Sequence, residues 1–398
     1  MGSIARRFAR PRVPRAREMV APAAVAPAAE SAKPDVWTAA AAAAKAGARD
    51  RPDAAVYVVG AGRGGKSTLV QRFLSADKAD APRPTAHVEY TFGRRAAAGS
   101  VERKEVAHIW EVAGSDELQA EFAAADHSFL PLSALATAVV VIVVDLSAPG
   151  DVLPMLERWL GRVRARLDAA YARLRRRGSK LPDQLLSRAR KLFGAAHEDR
   201  DAVQHFGIPV VVVATKYDTF MERDAESKKV MTRALRYFCH TNGCGLVMIG
   251  GLGGATGGSG EGVFNGGAAS AGLTPALRQQ LVHYRALLNH LVFHTAPLRV
   301  AEGDHNKPVT VPVGADKLRA IGKPKGGGEG HAGWRALVEQ YFPPSADAEP
   351  REEARYTIDE DKYAEEEIDM LRSHKDAELA SVLRQNQAAA QASKRRAR

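Results

Sequence analysis

The sequence predicts an α/β fold, in which helices alternate with the strands of a doubly wound, mostly parallel sheet. Three observations predict it. A β-branched run at 56–59 leads into a glycine-rich turn and then into apolar residues at helical spacing. Two later runs, 138–146 and 209–214, are apolar on both faces, as is usual for central strands of a parallel sheet. Segments between and after these runs carry apolar residues every three or four positions, which is the helical period.

The glycine-rich turn has the pattern of a phosphate-binding loop, GxxxxGK[ST], in the required setting between a strand and a helix. Its glycines let backbone N–H groups close around phosphate oxygens. The residues predicted to hold a nucleotide here are Gly60, Gly62, Gly64, Gly65, Lys66, Ser67 and Thr68. Lys66 would reach the β and γ phosphates, and Ser67 would ligate Mg²⁺. A chance glycine-rich turn is the competing interpretation, and the flanking strand and helix argue against it.

Two later segments occupy the places of the phosphate-sensing motifs of GTPases. Thr85, beside a predicted strand at 84–95, lies where a switch threonine completes the Mg²⁺ shell, although an ordinary loop is the competing interpretation. Gly114 ends the next predicted strand and could present its N–H to a γ-phosphate. Glu111 replaces the usual Asp of this motif, and Ser115 replaces the water-orienting glutamine. These departures argue against efficient turnover, and the sequence assigns no catalytic residue.

A third motif follows the apolar run at 209–214. Thr215, Lys216 and Asp218 stand in the places of the guanine-reading motif Asn-Lys-x-Asp. Asp218 can accept hydrogen bonds from guanine N1–H and the 2-amino group, whereas Lys216 would lie along the base. A glycine-rich loop at 250–267 replaces the Ser-Ala-Lys loop that closes over the base in GTPases, which puts the base contacts in doubt. The expected cofactor is GTP or GDP with Mg²⁺, the metal ligands being Ser67 and Thr85.

The chain divides into four predicted regions. Residues 1–50 form a basic, Ala- and Pro-rich disordered tail; 51–300 form the small-GTPase-like α/β domain; 301–344 extend that domain; and 345–398 form a charged helical tail. The first region also has the composition of a mitochondrial transit peptide, but its prolines weaken the amphipathic helix that such a peptide needs. The last region carries a thin apolar stripe, which indicates either a helix completed by a partner or a frayed tail. The stripe consists of Ile368, Leu371, Leu379 and Val382.

Charge and composition exclude several classes of function. The formal net charge is +11, concentrated in the two tails and in one arginine-rich helical segment after residue 149. The simplest interpretation is that the arginine side chains of that segment face solvent. The more specific and less favoured alternative is that they form a docking face for an acidic partner. No nucleic-acid-binding module accompanies the charge, so we predict no nucleic-acid partner.

No apolar run reaches the length of a membrane span, so we predict no membrane insertion. Two cysteines, Cys239 and Cys244, indicate a reducing compartment.

Several stretches together resemble the light intermediate chains of cytoplasmic dynein 2, the motor of retrograde intraflagellar transport. They are the phosphate-binding loop, 84–95, 110–111, 145–151, 216–218, 306–308, 341–344 and 363–369. The downstream stretches carry most weight, since small GTPases have no counterpart of them. The resemblance implies a non-catalytic subunit on a GTPase-like fold, whose phosphate-binding loop can be structural.

The same resemblance implies partners and a place in the cell. The partners are the dynein 2 heavy chain, the other dynein 2 subunits and the intraflagellar transport machinery. The place is the cytoplasm and cytoskeleton, including the cilium or flagellum and its base. The competing hypothesis is a nucleotide-switching small GTPase of ciliary traffic. The departures at Glu111 and Ser115 and the altered base loop argue against this alternative.

Overall fold

The computed structural model describes residues 52–75, 82–96, 104–125, 128–252, 274–326, 328–343 and 365–396. The tail predicted at 1–50 and most of the glycine-rich loop predicted at 250–267 lie outside these residues. None of the described helices has the length and apolar character needed to cross a membrane.

Seven strands form one sheet. They are β1 (Ala54–Gly60), β2 (Val88–Ala96), β3 (Lys104–Val112), β4 (Ala138–Asp145), β5 (Val210–Thr215), β6 (Gly245–Met248) and β7 (Thr310–Val311). Their spatial order is β2-β3-β1-β4-β5-β6-β7. Five adjacent strands pair in parallel, namely β3, β1, β4, β5 and β6. The two edge strands, β2 and β7, pair antiparallel with their neighbours. The doubly wound, mostly parallel sheet that the sequence predicts is confirmed.

Helices cover both faces of the sheet. They are α1 (Lys66–Leu74), α2 (Asp116–Ala124), α3 (Pro149–Arg176), α4 (Leu181–Phe193), α5 (Tyr217–Phe220), α6 (Ala225–Thr241), α7 (Pro275–Phe293), α8 (Leu318–Ile321), α9 (Gly330–Tyr341) and α10 (Glu366–Arg396). Thr274 caps α7 by accepting a hydrogen bond from the N–H of Leu277, and Pro275 takes its first position. These two residues fix the start of this helix.

The central strands are buried because each face packs into its own apolar cluster. Val140 of β4 lies in one cluster with Trp159 of α3, whereas its neighbour Val141 lies in the other with Leu288 of α7. Successive side chains of a strand point to opposite faces, so a run of Val and Ile supplies both cores at once. The sheet thereby holds the carboxyl ends of β1, β3, β4 and β5 at one edge of the domain.

The segment after α7 packs onto the same domain. Trp334 of α9 is buried in the cluster that also contains Trp159. Arg335 of α9 forms an ion pair with Glu157 of α3 at 2.6 Å. The helix α10 differs, because every described side chain between residues 365 and 385 is exposed.

Candidate nucleotide-binding site

The residues predicted to bind phosphate lie in the loop between β1 and α1, at the carboxyl edge of the sheet, where doubly wound folds bind ligands. Gly60 and Gly65 have positive φ angles of 120° and 82°. A Cβ atom at Gly60 would lie 2.0 Å from the carbonyl oxygen of Val143. Glycine is therefore required at Gly60 both for its backbone conformation and for this close approach. Thr68 follows in the first turn of α1 and is half-buried.

Lys66 and Ser67 both lie at the start of α1. The Lys66 ammonium is buried and donates hydrogen bonds to the carbonyl oxygens of Ala61 at 2.8 Å and Gly60 at 3.2 Å. The Ser67 hydroxyl lies 3.5 Å from the Thr85 hydroxyl. The structure thus brings together the two hydroxyl groups that the sequence assigns to Mg²⁺, although they are 18 positions apart in the chain.

Two carboxylates surround this pair of hydroxyls. The Ser67 hydroxyl donates to Glu111 at 2.6 Å, and the Thr85 hydroxyl donates to Glu89 at 3.1 Å. Burial raises the pKa of Glu111 above its ordinary value of 4.5, an effect that the hydrogen bond from Ser67 offsets in part. Hydroxyl and carboxylate oxygens are ligands that Mg²⁺ prefers. The donor set therefore fits the predicted metal, with Ser67 and Thr85 as the residues that would hold it.

We expect Glu111→Gln to raise the free energy of unfolding at neutral pH when no Mg²⁺ or nucleotide is added. The raised pKa means that the fold favours the protonated carboxyl, so this stabilisation is present below pH 4.5 and is lost as the pH rises through the folded pKa. Glutamine mimics the protonated form at every pH. Urea unfolding of both proteins at about pH 4 and about pH 7 measures the difference. Glu222→Gln, at an exposed loop position, is the control. An equal or lower stability of Glu111→Gln at neutral pH would contradict the prediction.

The backbone after β3 lies directly against the phosphate-binding loop. A Cβ atom at Gly114 would lie 2.0 Å from Cα of Gly62, so that only glycine fits. The Ser115 hydroxyl accepts a hydrogen bond from the N–H of Leu118 at 3.4 Å and caps α2. The residue at the place of the water-orienting glutamine therefore begins a helix.

Sequence reasoning missed Gln119, which is fully buried beneath the loop. Its amide nitrogen donates to the carbonyl oxygens of Gly60 at 2.6 Å and Ala113 at 2.7 Å. Its amide oxygen accepts from the indole N–H of Trp159 at 2.8 Å. Gln119 thus links β1, the segment after β3 and α3. Gln119 precedes Phe122 by three positions, so the two residues share one face of the helix. That spacing predicts a buried amide, and a buried polar group needs hydrogen-bond partners.

The predicted base-reading residues lie at the end of β5. The Thr215 hydroxyl donates to the carbonyl oxygen of Gly64 at 2.7 Å, so it ties this strand to the phosphate-binding loop. Lys216 has a φ of 58° and forms an ion pair with the Asp145 carboxylate at the end of β4. The exposed carboxylate of Asp218 accepts from the N–H of Gly251 at 2.8 Å. One oxygen of the carboxylate that the sequence predicts to read the base is therefore already engaged by the backbone.

A second group of metal-type side chains lies away from this site. His197, Asp199 and His240 offer ligand atoms within 4.8 Å of one another. The Asp199 carboxylate accepts from His240 at 2.9 Å and from the N–H of Leu318 at 2.8 Å. His197 contacts the N–H of Asp199 through Nδ1 and the carbonyl oxygen of Asp316 through Nε2. These hydrogen bonds give the cluster a structural role, because they connect α6 to the segment around the start of α8.

Comparison with known proteins gives the following relatives. No family model matches the chain. Cytoplasmic dynein 2 light intermediate chain 1 of Danio rerio is 30% identical over 343 residues, which cover 83% of this chain and 85% of the relative. The proteins of the same name from Bos taurus and Homo sapiens are 29% and 28% identical over 340 residues, which cover 83% of this chain and 87% of each relative. A solved structure of the conserved domain of the dynein light intermediate chain matches with a TM-score of 0.48 and 15% identity, over 73% of this chain and 97% of that one.

Proposed function

Because the chain belongs to the family of cytoplasmic dynein 2 light intermediate chains, we propose that it is a non-catalytic subunit of the dynein 2 motor that binds and stabilises the heavy chain. The observation that carries this proposal is the 30% identity over 343 residues with the Danio rerio relative, of which the chain covers 85%. The resemblance that the sequence predicts is confirmed by the same relatives.

The proposal extends to the setting in which the motor acts. We place the subunit in retrograde intraflagellar transport, in contact with the other dynein 2 subunits and with the transport machinery. Its place of action is then the cytoplasm and cytoskeleton, including the cilium or flagellum and its base. This setting is supported by the identity of the relatives, which are light intermediate chains of cytoplasmic dynein 2.

We propose further that the pocket holds GTP or GDP with Mg²⁺ as a structural ligand. The glycine loop would bind the phosphates, Lys66 would neutralise their charge, and Ser67 and Thr85 would hold the metal. A bound nucleotide with Mg²⁺ supplies a charged ligand that draws these segments together. The close approach of the Ser67 and Thr85 hydroxyls supports this assignment.

A nucleotide-switching GTPase is the rival function, and contacts within the site oppose it. A switch requires the segment after β3 to change position between nucleotide states. That segment is fastened by Gln119, whose amide bonds the carbonyl oxygens of both Gly60 and Ala113. Ser115, at the place of the catalytic glutamine, is engaged as a helix cap. These contacts favour a subunit with a static pocket.

We expect the purified protein to hydrolyse GTP far more slowly than about 1 s⁻¹, the lower end of ordinary enzyme rates. The physical reason is that neither Ser115 nor the engaged Gln119 can orient a water molecule. Phosphate release should be measured with GTP and with ATP, for the subunit alone and for the subunit bound to heavy chain. Turnover at or above about 1 s⁻¹ without an added activator would contradict the assignment of the nucleotide as a structural ligand. Preferential binding of ATP would contradict the assignment of base recognition to Asp218.

A further inference from the structure

The edge strand β2 exposes an apolar face. Val88, Tyr90 and Phe92 are 45%, 51% and 46% exposed. Alternate residues of a strand share a face, so these three side chains form one row on the same side of the sheet. Among the described residues, no helix or strand covers this row.

The backbone of the same residues faces outward. The N–H of Ala113 donates to the carbonyl oxygen of His87 at 2.7 Å, which makes these two residues a hydrogen-bonded pair between the neighbouring strands. Hydrogen-bonded and non-hydrogen-bonded pairs alternate along an antiparallel ladder. The N–H and C=O groups of Val88, Tyr90, Phe92 and Arg94 therefore point away from β3. In the described sheet, no strand pairs with that side of β2.

This edge is neither short, bulged nor interrupted by proline, so it lacks three of the usual protections against pairing with another chain; its charged residues are Glu89, Arg94 and Arg95. The register against β3 runs without a bulge from Val88↔Val112 to Ala96↔Lys104. The strand contains no proline, and its 9 residues make it as long as β3. Natural edge strands are typically short, bulged, charged or interrupted by proline, because a long regular apolar edge invites aggregation. A partner that covers β2 in the assembled protein would remove this liability.

The exposed aromatic side chains are held in place before any partner binds. The Tyr90 hydroxyl forms a hydrogen bond with His108 Nδ1 at 2.7 Å, and its ring lies 5.4 Å from that of Trp110. The Arg94 guanidinium lies 4.9 Å from the centre of the Phe92 ring. Tyr, Trp and Arg dominate the energetic centres of protein interfaces. Side chains that are already fixed lose less entropy on binding.

We propose that the outer edge of β2 binds an extended segment of the dynein heavy chain, which adds to the sheet as a further strand. Four residues direct their backbone N–H and C=O groups outward, namely Val88, Tyr90, Phe92 and Arg94. An extended segment can form hydrogen bonds with these groups, whereas a helix uses its backbone groups internally. The bound segment carries apolar side chains at alternate positions over Tyr90 and Phe92. It carries an acidic residue near Arg94 and Arg95, the exposed cations at the end of the strand. The choice of the heavy chain as partner rests on the proposed function.

Two variants at Phe92 separate the side chain from the backbone. Phe92→Ala removes the ring and keeps the outward N–H, whereas Phe92→Pro removes both. Because this N–H does not bond to β3, proline at this position costs no hydrogen bond within the sheet. The matched control is Val282→Glu, which changes a 57% exposed apolar residue of α7 on another surface.

The test is co-purification of the dynein 2 heavy chain with each full-length variant, at equal expression and with thermal unfolding checked. We expect a loss of about threefold for Phe92→Ala, about tenfold for Phe92→Pro and none for Val282→Glu. Hydrogen exchange of the unsubstituted protein provides a readout that is independent of variant folding. The amides of Tyr90, Phe92 and Arg94 should exchange more slowly in the heavy-chain complex than in the isolated subunit.

Three outcomes decide the matter. Reduced co-purification with slowed exchange supports the β2 edge as the docking site. If the unsubstituted protein binds heavy chain but these amides exchange equally fast in the complex, the inference is overturned and the proposed function stands. If the unsubstituted protein does not bind heavy chain, the proposed function fails and the inference fails with it.

Discussion

Replacing Gln119 with leucine is expected to lower the free energy of unfolding by about 2–6 kcal/mol. The substitution leaves the carbonyl oxygen of Ala113 without the donor at 2.7 Å and the Trp159 indole N–H without the acceptor at 2.8 Å. Each buried group left unsatisfied costs about 1–3 kcal/mol. The carbonyl oxygen of Gly60 keeps a donor, because Lys66 also bonds to it. Domains are stable by only about 5–15 kcal/mol, so this loss is large.

Urea unfolding measures the change in the free energy of unfolding. Two further variants show whether the lost hydrogen bonds cause it. Gln279→Leu, at an exposed position of α7, is the matched control and should be nearly neutral. Adding Trp159→Phe to Gln119→Leu removes the orphaned N–H, so the double variant should be less destabilised than the sum of the two single variants. A Gln119→Leu protein as stable as the unsubstituted one would show that Gln119 does not hold the loop.

Substituting two apolar residues of α10 is expected to lower heavy-chain co-purification by about tenfold or more. Ile368 and Leu371 are 58% and 60% exposed, on a stripe too narrow for the helix to be stable by itself. We expect the heavy chain to cover this stripe. Ile368→Asp with Leu371→Asp would place two buried charges in that contact. The thermal stability and nucleotide binding of the α/β domain should not change, since they depend on another part of the chain.

The matched control puts the same charges on the opposite face of α10. Ser373→Asp with Ala377→Asp adds two carboxylates at positions away from the stripe and should leave co-purification unchanged. The frayed-tail interpretation of this segment makes a different prediction. If a protein lacking all residues after 359 retains heavy chain at the yield of the full-length protein, α10 is a solvated tail.

Much of the fold could be predicted from sequence because its signals are local. The β-branched run before Gly60 and the apolar run of β4 each specify a buried strand within a few residues. Motif order alone predicts that Thr85 lies at the metal site, and the structure places its hydroxyl 3.5 Å from that of Ser67. These predictions do not depend on knowing which residues far apart in the sequence are in contact in the fold.

The parts that sequence could not supply depend on long-range pairing. Gln119 bonds residues 40 and 59 positions away, so nothing in α2 itself specifies its partners. The same holds for the bidentate ion pair of Arg236 with Asp316, which joins α6 to the later segment across 80 positions. The outward backbone of β2 follows from the register with β3, which sequence alone does not fix.

The most direct test of the proposed function is the mass of the complex formed when the full-length chain is co-expressed with the dynein 2 heavy chain of the same organism. We expect a stable complex in which the two chains purify together in a fixed ratio. The human relative with its own heavy chain serves as the positive control. If that control forms a complex while this chain elutes alone, folded and binding nucleotide, the assignment as a dynein 2 subunit is contradicted.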